Sequence, residues 1–260
     1  MTRKVSAVAA LSLATGVLLT MLFAVASPAA AAPSPPAGDG ITIDVGDVGS
    51  NGKPASSIII LLGLTVLSVA PALLLLCTSF TKIFVVLGIT RNALGLTSVP
   101  PNQVLAGLAL FLSLFIMGPT LSEMNSQGVQ PYLKGDKTQS VAFRDGTAPL
   151  RAFMLKNTRP DEIALMTKAA GQSRPAKAED VELTTLIPAF VLSELRAAMI
   201  IGFVIFIPFL LIDMVVSASL MSLGMMMLPP VTVALPFKLL LFVLVNGWGL
   251  ILTALVASYR

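Results

Sequence analysis

Apolar residues fall into long blocks along this chain, and those blocks set its predicted elements. Residues 58–77 run for twenty positions without a charge, about the length that spans a hydrocarbon core. Pro71 lies inside this block and is expected to kink the helix or end its first part. Ile83, Val86, Leu87 and Leu94 then recur at helical spacing, so residues 78–95 read as an amphipathic helix continuing the first. Pro100 and Pro101 interrupt the pattern, with Pro101 suited to the first turn of the next helix. Residues 103–117 are apolar and helical in pattern but short for a span, and Gly118 and Pro119 are expected to close them. Two longer blocks follow, 186–212 and 236–256. Between them lies residues 221–230, M-S-L-G-M-M-M-L-P-P.

The polar stretches divide these blocks into units. Residues 1–31 have the layout of a signal peptide, with Arg3 and Lys4 before an apolar run and small residues after it. Cleavage is expected after Ala30 or Ala31. Residues 32–57, rich in Pro, Gly, Ser and Asp, have little to bury and read as a disordered lead-in. Residues 58–122 then form a first helical hairpin. Residues 123–185 form a mixed-charge helical insert, and residues 186–260 form a second hairpin whose tip is the 221–230 loop. The insert carries nine of the 17 basic residues and eight of the 13 acids between Glu123 and Glu182. Within it, residues 149–158 read as a short amphipathic helix with Leu150, Phe153 and Met154 on one face. Residues 161–170 read as another helix, and 171–180 as a loop.

Composition narrows the class. Hydrophobic residues make up 55% of the 260 and charged ones only 12%, and the mean hydropathy is +0.89. A soluble domain carries about a quarter charged residues, so the chain reads as an integral membrane protein. No dense basic run supports nucleic-acid binding. Histidine is absent and Cys77 is the sole cysteine, which removes most metal sites, histidine acid–base chemistry and any intrachain disulfide. Starting from outside, the simplest path makes the insert extracytoplasmic and puts the methionine loop inside.

The few charges inside apolar blocks are the informative ones. Glu194 and Arg196, two residues apart on a helix, point about 200° from each other and cannot satisfy one another. Either each finds a partner elsewhere, or both sit at the water interface before a shorter span, 197–212. Asp213 and Lys238 are equidistant in sequence from the midpoint of Met225 and Met226. An antiparallel hairpin turning there brings them to similar depth, so they are expected to pair within the chain or between copies. Methionine is unbranched and polarizable. Met225, Met226 and Met227 therefore read either as core filler or as a deformable apolar plug. An intramembrane protease would need a Ser–His, paired-Asp or metal arrangement, which is missing. An ion-coupled transporter would use Glu194 and Asp213, but no internal repeat is present.

Several stretches carry a resemblance. They are T-S-F-T-K-I-F-V-V-L-G-I-T-R-N-A-L-G (78–95), P-P-N-Q-V-L-A-G-L-A-L-F-L-S-L-F-I-M-G-P (100–119) and P-L-R-A-F-M-L-K-N-T-R (149–159). Two longer ones follow, from I-P-A-F-V-L-S-E-L-R at 187 to 216 and from the methionine loop to 250. Together they resemble the FliP family of the type III secretion export gate, flagellar and virulence versions alike. The resemblance implies an all-α subunit of a helical pore assembly in the bacterial cytoplasmic membrane, at the flagellar basal body in the flagellar version. It implies a homo-oligomer, a pentamer, joined by Q-type and R-type subunits and other export-apparatus membrane proteins. The assembly, in contact with membrane lipid, would conduct unfolded secreted proteins. It implies no enzyme activity and no cofactor. The methionine triad matches the family's gasket, Phe153 falls near its upper gate, and Glu194 matches an acid used between subunits. Lys82, Arg91, Glu194, Arg196, Asp213 and Lys238 are the candidates for buried or inter-subunit ion pairs. Asn246 stands where relatives often have Asp.

Overall fold

A computed structural model of the protein describes residues 56–172, 180–225 and 228–259. The expected signal segment, nearly all of the lead-in, most of the 171–180 loop, Met226, Met227 and Arg260 lie outside the described residues. Every regular element among the described residues is helical, so the chain is all-α. Residues Leu61–Arg260 form one compact unit.

Helix α1 (Ser56–Leu76) continues past Pro71 and does not run on into α2 (Phe80–Ala93). The two are bent by 67° across Cys77–Ser79. Thr78 is the reason: its hydroxyl donates to the Leu75 carbonyl at 2.7 Å and accepts the Phe80 N–H at 3.3 Å. One side chain thus closes one helix and starts the next. Helix α2 is the most enclosed element, with Ile83, Val86, Leu87 and Ala93 fully buried. Each of the three larger side chains contributes on the order of 1.5–3 kcal/mol relative to exposure to water. It ends at Gly95 (φ +79°), where the Gly95 and Leu96 N–H groups bond the Asn92 and Arg91 carbonyls, a Schellman closure.

Helix α3 (Asn102–Met124) does not stop at Gly118 and Pro119. A proline removes one backbone bond, and the Leu, Glu and Met that follow re-establish the ladder. The helix passes through a π-helical turn (Asn125–Val129) into α4 (Gln130–Leu133). At that turn Gly128 meets Gly146 of α5 (Gln139–Asn157) backbone to backbone. A Cβ on Gly128 would lie 2.6 Å from the Gly146 Cα and 2.9 Å from the Ala142 carbonyl oxygen. Helix α5 begins well before the expected 149 and carries Pro149 in its interior. Helix α6 (Pro160–Ala169) starts on a proline with Asp161 and Glu162 in its first turn, where a missing N–H costs nothing and negative charge meets the helix dipole.

Helix α7 (Leu183–Ser222) is 40 residues long and continues through Pro188 and Pro208. It crosses α2 closely at Gly202, where the atoms nearest to an added Cβ belong to the Ile89 side chain. The last apolar block is divided into α8 (Pro230–Leu244) and α9 (Gly247–Ala257), bent by 59°. The sequence pattern gave no break there. Asn246 makes it by adopting the left-handed conformation (φ 50°, ψ 52°), which its short amide side chain tolerates. By length and composition, Asn102–Leu133 and Leu183–Ser222 can each cross a membrane, and each bent pair can form a further span.

Among the described residues two apolar cores result. The larger joins α2, α3, α7, α8 and α9 through Ile83, Leu87, Leu105, Phe209, Phe242 and Leu255. The smaller gathers Cys77, Met154, Val181, Leu186 and Phe190.

Candidate functional site: buried charge clusters and the methionine loop

The first cluster forms where α2 crosses α7. Lys82 Nζ lies 3.4 Å from Glu194 Oε1, with side-chain exposures of 6% and 2%. Tyr259, just beyond α9, donates its hydroxyl proton to Glu194 Oε2. The Lys82 ammonium also sits 3.6 Å from the centroid of the Tyr259 ring. That ring stacks on Phe153 of α5 with centroids 5.8 Å apart and planes at 17°, and Phe153 meets Phe190 of α7 edge-on at 6.0 Å. Burial, and then the neighbouring Glu194 carboxylate, hold the Tyr259 phenol far above its ordinary range, so it stays a donor. Around this cluster Ser193 accepts the Arg159 N–H at 3.1 Å, and Ser79 bonds Ser113 at 3.1 Å. These contacts tie α6 to α7 and α2 to α3.

The second cluster lies nearer the hairpin tip. Lys238 of α8 places Nζ 2.6 Å from Asp213 Oδ2 of α7 and 3.2 Å from the Ala93 carbonyl. That carbonyl belongs to the C-terminal end of α2, where a cation is favoured by the free carbonyls and the helix dipole. Lys238 is 3% exposed and Asp213 26%, yet Asp213 Oδ1 is shielded from solvent and has no hydrogen-bond partner among the described residues.

The remaining candidates are placed differently. Arg196 points away from Glu194 and bonds Glu162 of α6 at 2.8 Å, with 52% of the arginine side chain exposed. Arg91 is held by two neutral oxygens, the Pro100 carbonyl at 3.1 Å and Asn102 Oδ1 at 2.7 Å. No ion pair involves it among the described residues. Phe153 is half-buried in its aromatic stack. In the insert, Asp145 takes Lys137 at 2.7 Å and Arg144 at 3.2 Å. The Lys137 hydrogen bond, then Arg144, hold its carboxyl below the usual range. No group of three or more potential metal-ligating side chains occurs among the described residues.

The methionine loop begins with a second Schellman closure. Gly224 (φ +73°) and Met225 donate to the Met221 and Leu220 carbonyls. Met225 leaves the helix with 45% of its surface exposed, and Pro229 and Pro230 start α8.

Two residues of this arrangement escaped the sequence reading. Glu162 is 34 positions from its partner Arg196, and no periodicity links them. Tyr259 carried one signal, a hydroxyl-bearing ring at the end of an apolar block, since a buried tyrosine hydroxyl needs a partner.

The sequence model of the FliP family matches residues 63–255, a stretch that contains both clusters except Tyr259. The chain belongs to the FliP family. The flagellar biosynthetic protein FliP of Bacillus subtilis (strain 168) is 51% identical over 205 residues, which cover 79% of this chain and 93% of that protein. The protein of the same name from Pectobacterium carotovorum is 50% identical over 196 residues, 75% of this chain and 76% of its own length. The FliP of Aquifex aeolicus (strain VF5) is 42% identical over 211 residues, 80% and 88% of the two chains. Family membership and the apolar helices together make this a membrane protein.

Proposed function

We propose that this chain is a pore-forming core subunit of the flagellar type III protein export gate. It conducts unfolded flagellar proteins across the cytoplasmic membrane, and a methionine gasket seals the closed channel. The observation that carries this reading is the exposed Met225 at the tip of the α7–α8 hairpin, in a region matched by the FliP family. A ring of thioethers is apolar enough to exclude water and ions and soft enough to yield to any passing chain.

The surface of α7 supports assembly with other chains. Its three charges are each paired internally, Glu194 to Lys82, Arg196 to Glu162 and Asp213 to Lys238. The outer face, by contrast, exposes Met199, Phe203, Val204, Leu211, Met214 and Val215. Only 11% of the most apolar window of this helix is buried within the chain, so neighbouring subunits or lipid must cover the rest. In this reading several copies, a pentamer, join Q-type and R-type subunits, with the insert on the extracytoplasmic side and Phe153 near an upper constriction. The flagellar system is favoured over a virulence system because the similar proteins are named flagellar biosynthetic proteins.

The test is conductance. Replacing Met225, Met226 and Met227 together by alanine should leave assembly intact and raise ion leakage through the resting complex. Unchanged conductance in a fully assembled triple variant would remove the gasket.

A further inference from the structure

We infer that Tyr259 is a positioning residue that fixes the orientation of Phe153, so that the C-terminal end of the chain sets how well the upper constriction closes. This rests on the reading of Phe153 as part of that constriction. Three contacts converge on one buried side chain. The Tyr259 hydroxyl holds Glu194, its ring receives the Lys82 ammonium, and the same ring stacks on Phe153. The ion pair fixes the tyrosine ring, and the ring in turn fixes Phe153.

The geometry explains why a tyrosine serves here. A phenylalanine would keep the stack and the cation contact but leave Glu194 Oε2 without its donor. A leucine would fill much of the volume without offering a π face. An aromatic side chain is large and flat with few rotatable bonds, so one stacked partner removes much of the freedom that Phe153 has left. Among the described residues Phe153 has one other ring contact, with Phe190, which meets it edge-on and leaves its stacked face to Tyr259. Helix α9, which delivers Tyr259, is anchored through Ile251 and Leu255 in the larger core. The tyrosine therefore carries the position of that core into the aromatic cluster around α5.

The experiment uses the full export complex, with resting ion leakage and the amount of assembled complex read in the same cells. Tyr259→Leu should assemble and raise leakage about three- to tenfold, the population change expected when an aromatic stack and a cation–π contact are lost. Tyr259→Phe should stay near wild type in leakage. Phe153→Ala should itself leak, and adding Tyr259→Leu to it should bring no further increase, since the tyrosine acts through the phenylalanine. Leakage from Phe153→Ala but none from assembled Tyr259→Leu overturns this inference and leaves the constriction standing. Absence of leakage from assembled Phe153→Ala removes the constriction itself. If Tyr259→Leu fails to assemble, Tyr259→Phe decides: leakage from that variant, which keeps the ring, overturns the stacking role, and tight closure supports it.

Discussion

The two ion pairs inside the apolar helices solve the same problem to different degrees. At the α2–α7 crossing, Lys82 and Glu194 are both almost fully enclosed, and a phenol completes the carboxylate. At the α7–α8 hairpin, Lys238 is equally enclosed, but Asp213 is partly exposed and one of its oxygens lacks a donor. Burying a charge is tolerable only when its hydrogen bonds are met as well as its charge. The first cluster is therefore closed within one chain. The second is unfinished, with one carboxylate oxygen shielded from solvent and without a donor among the described residues. A completed cluster fixes a fold, whereas an incomplete one keeps the standing cost of a buried polar atom without a donor.

That contrast is broken most severely by removing one partner from the closed cluster. Glu194→Ala leaves Lys82 charged among apolar atoms and should cost about 3–5 kcal/mol. Loss of assembled complex, or a strongly lowered melting temperature in detergent, is the expected result; a melting temperature equal to wild type contradicts the closed-cluster picture. Lys238→Met comes next. It strands a partly exposed Asp213, which water can reach from one side, so about 1–3 kcal/mol is expected. A loss matching that of Glu194→Ala in the same melt would erase the distinction between the two sites. Arg196→Gln strands Glu162, whose side chain is only 7% exposed, but the amide can still donate to that carboxylate and the N-terminus of α6 favours its charge. A smaller loss of about 1 kcal/mol is therefore expected in thermal unfolding; a loss as large as that of Lys238→Met would contradict this ranking.

The smallest effect is a pH dependence in the insert. The Asp145 carboxyl titrates below its usual value because it accepts from Lys137 and Arg144. Its contribution is therefore present above the unfolded carboxylate pKa and is lost as pH falls through the lower folded value. Lys137→Ala should flatten the acid limb of stability against pH for this segment, as read by hydrogen exchange of residues 137–147. An unaltered limb would assign the acid sensitivity to other groups.

Much of this was legible in the chain. Long uncharged blocks announced helices in an apolar environment because a span of that length has few alternatives. The symmetry of Asp213 and Lys238 about the methionines placed both at one depth, and in the structure they lie 2.6 Å apart. The boundaries were less legible. Pro119 removes one backbone bond, which reads as a stop in water but is absorbed within a long apolar helix, as Pro188 and Pro208 are within α7. The break at Asn246 was invisible because it depends on one left-handed residue in an unbroken apolar run. Thr78 was missed for a related reason, since a single hydroxyl bonding in both directions leaves no periodic trace. Contacts across the chain, Arg196 with Glu162 and Tyr259 with Glu194, arise only once α6 and the segment beyond α9 are packed on α7, and no local pattern encodes them.

The meeting of Gly128 and Gly146 has a consequence for how this sequence can change. At the crossing of α7 with α2, a methyl group on Gly202 would collide with Ile89, a side chain that a second substitution can shorten. Between the π-helical turn and α5, the obstacle to a methyl group on Gly128 is backbone, the Gly146 Cα and the Ala142 carbonyl. No replacement elsewhere trims a main chain, and neither glycine can give up atoms to accommodate the other. Gly128 therefore has no compensated route away from glycine, and drift there must stop where drift at Gly202 can continue.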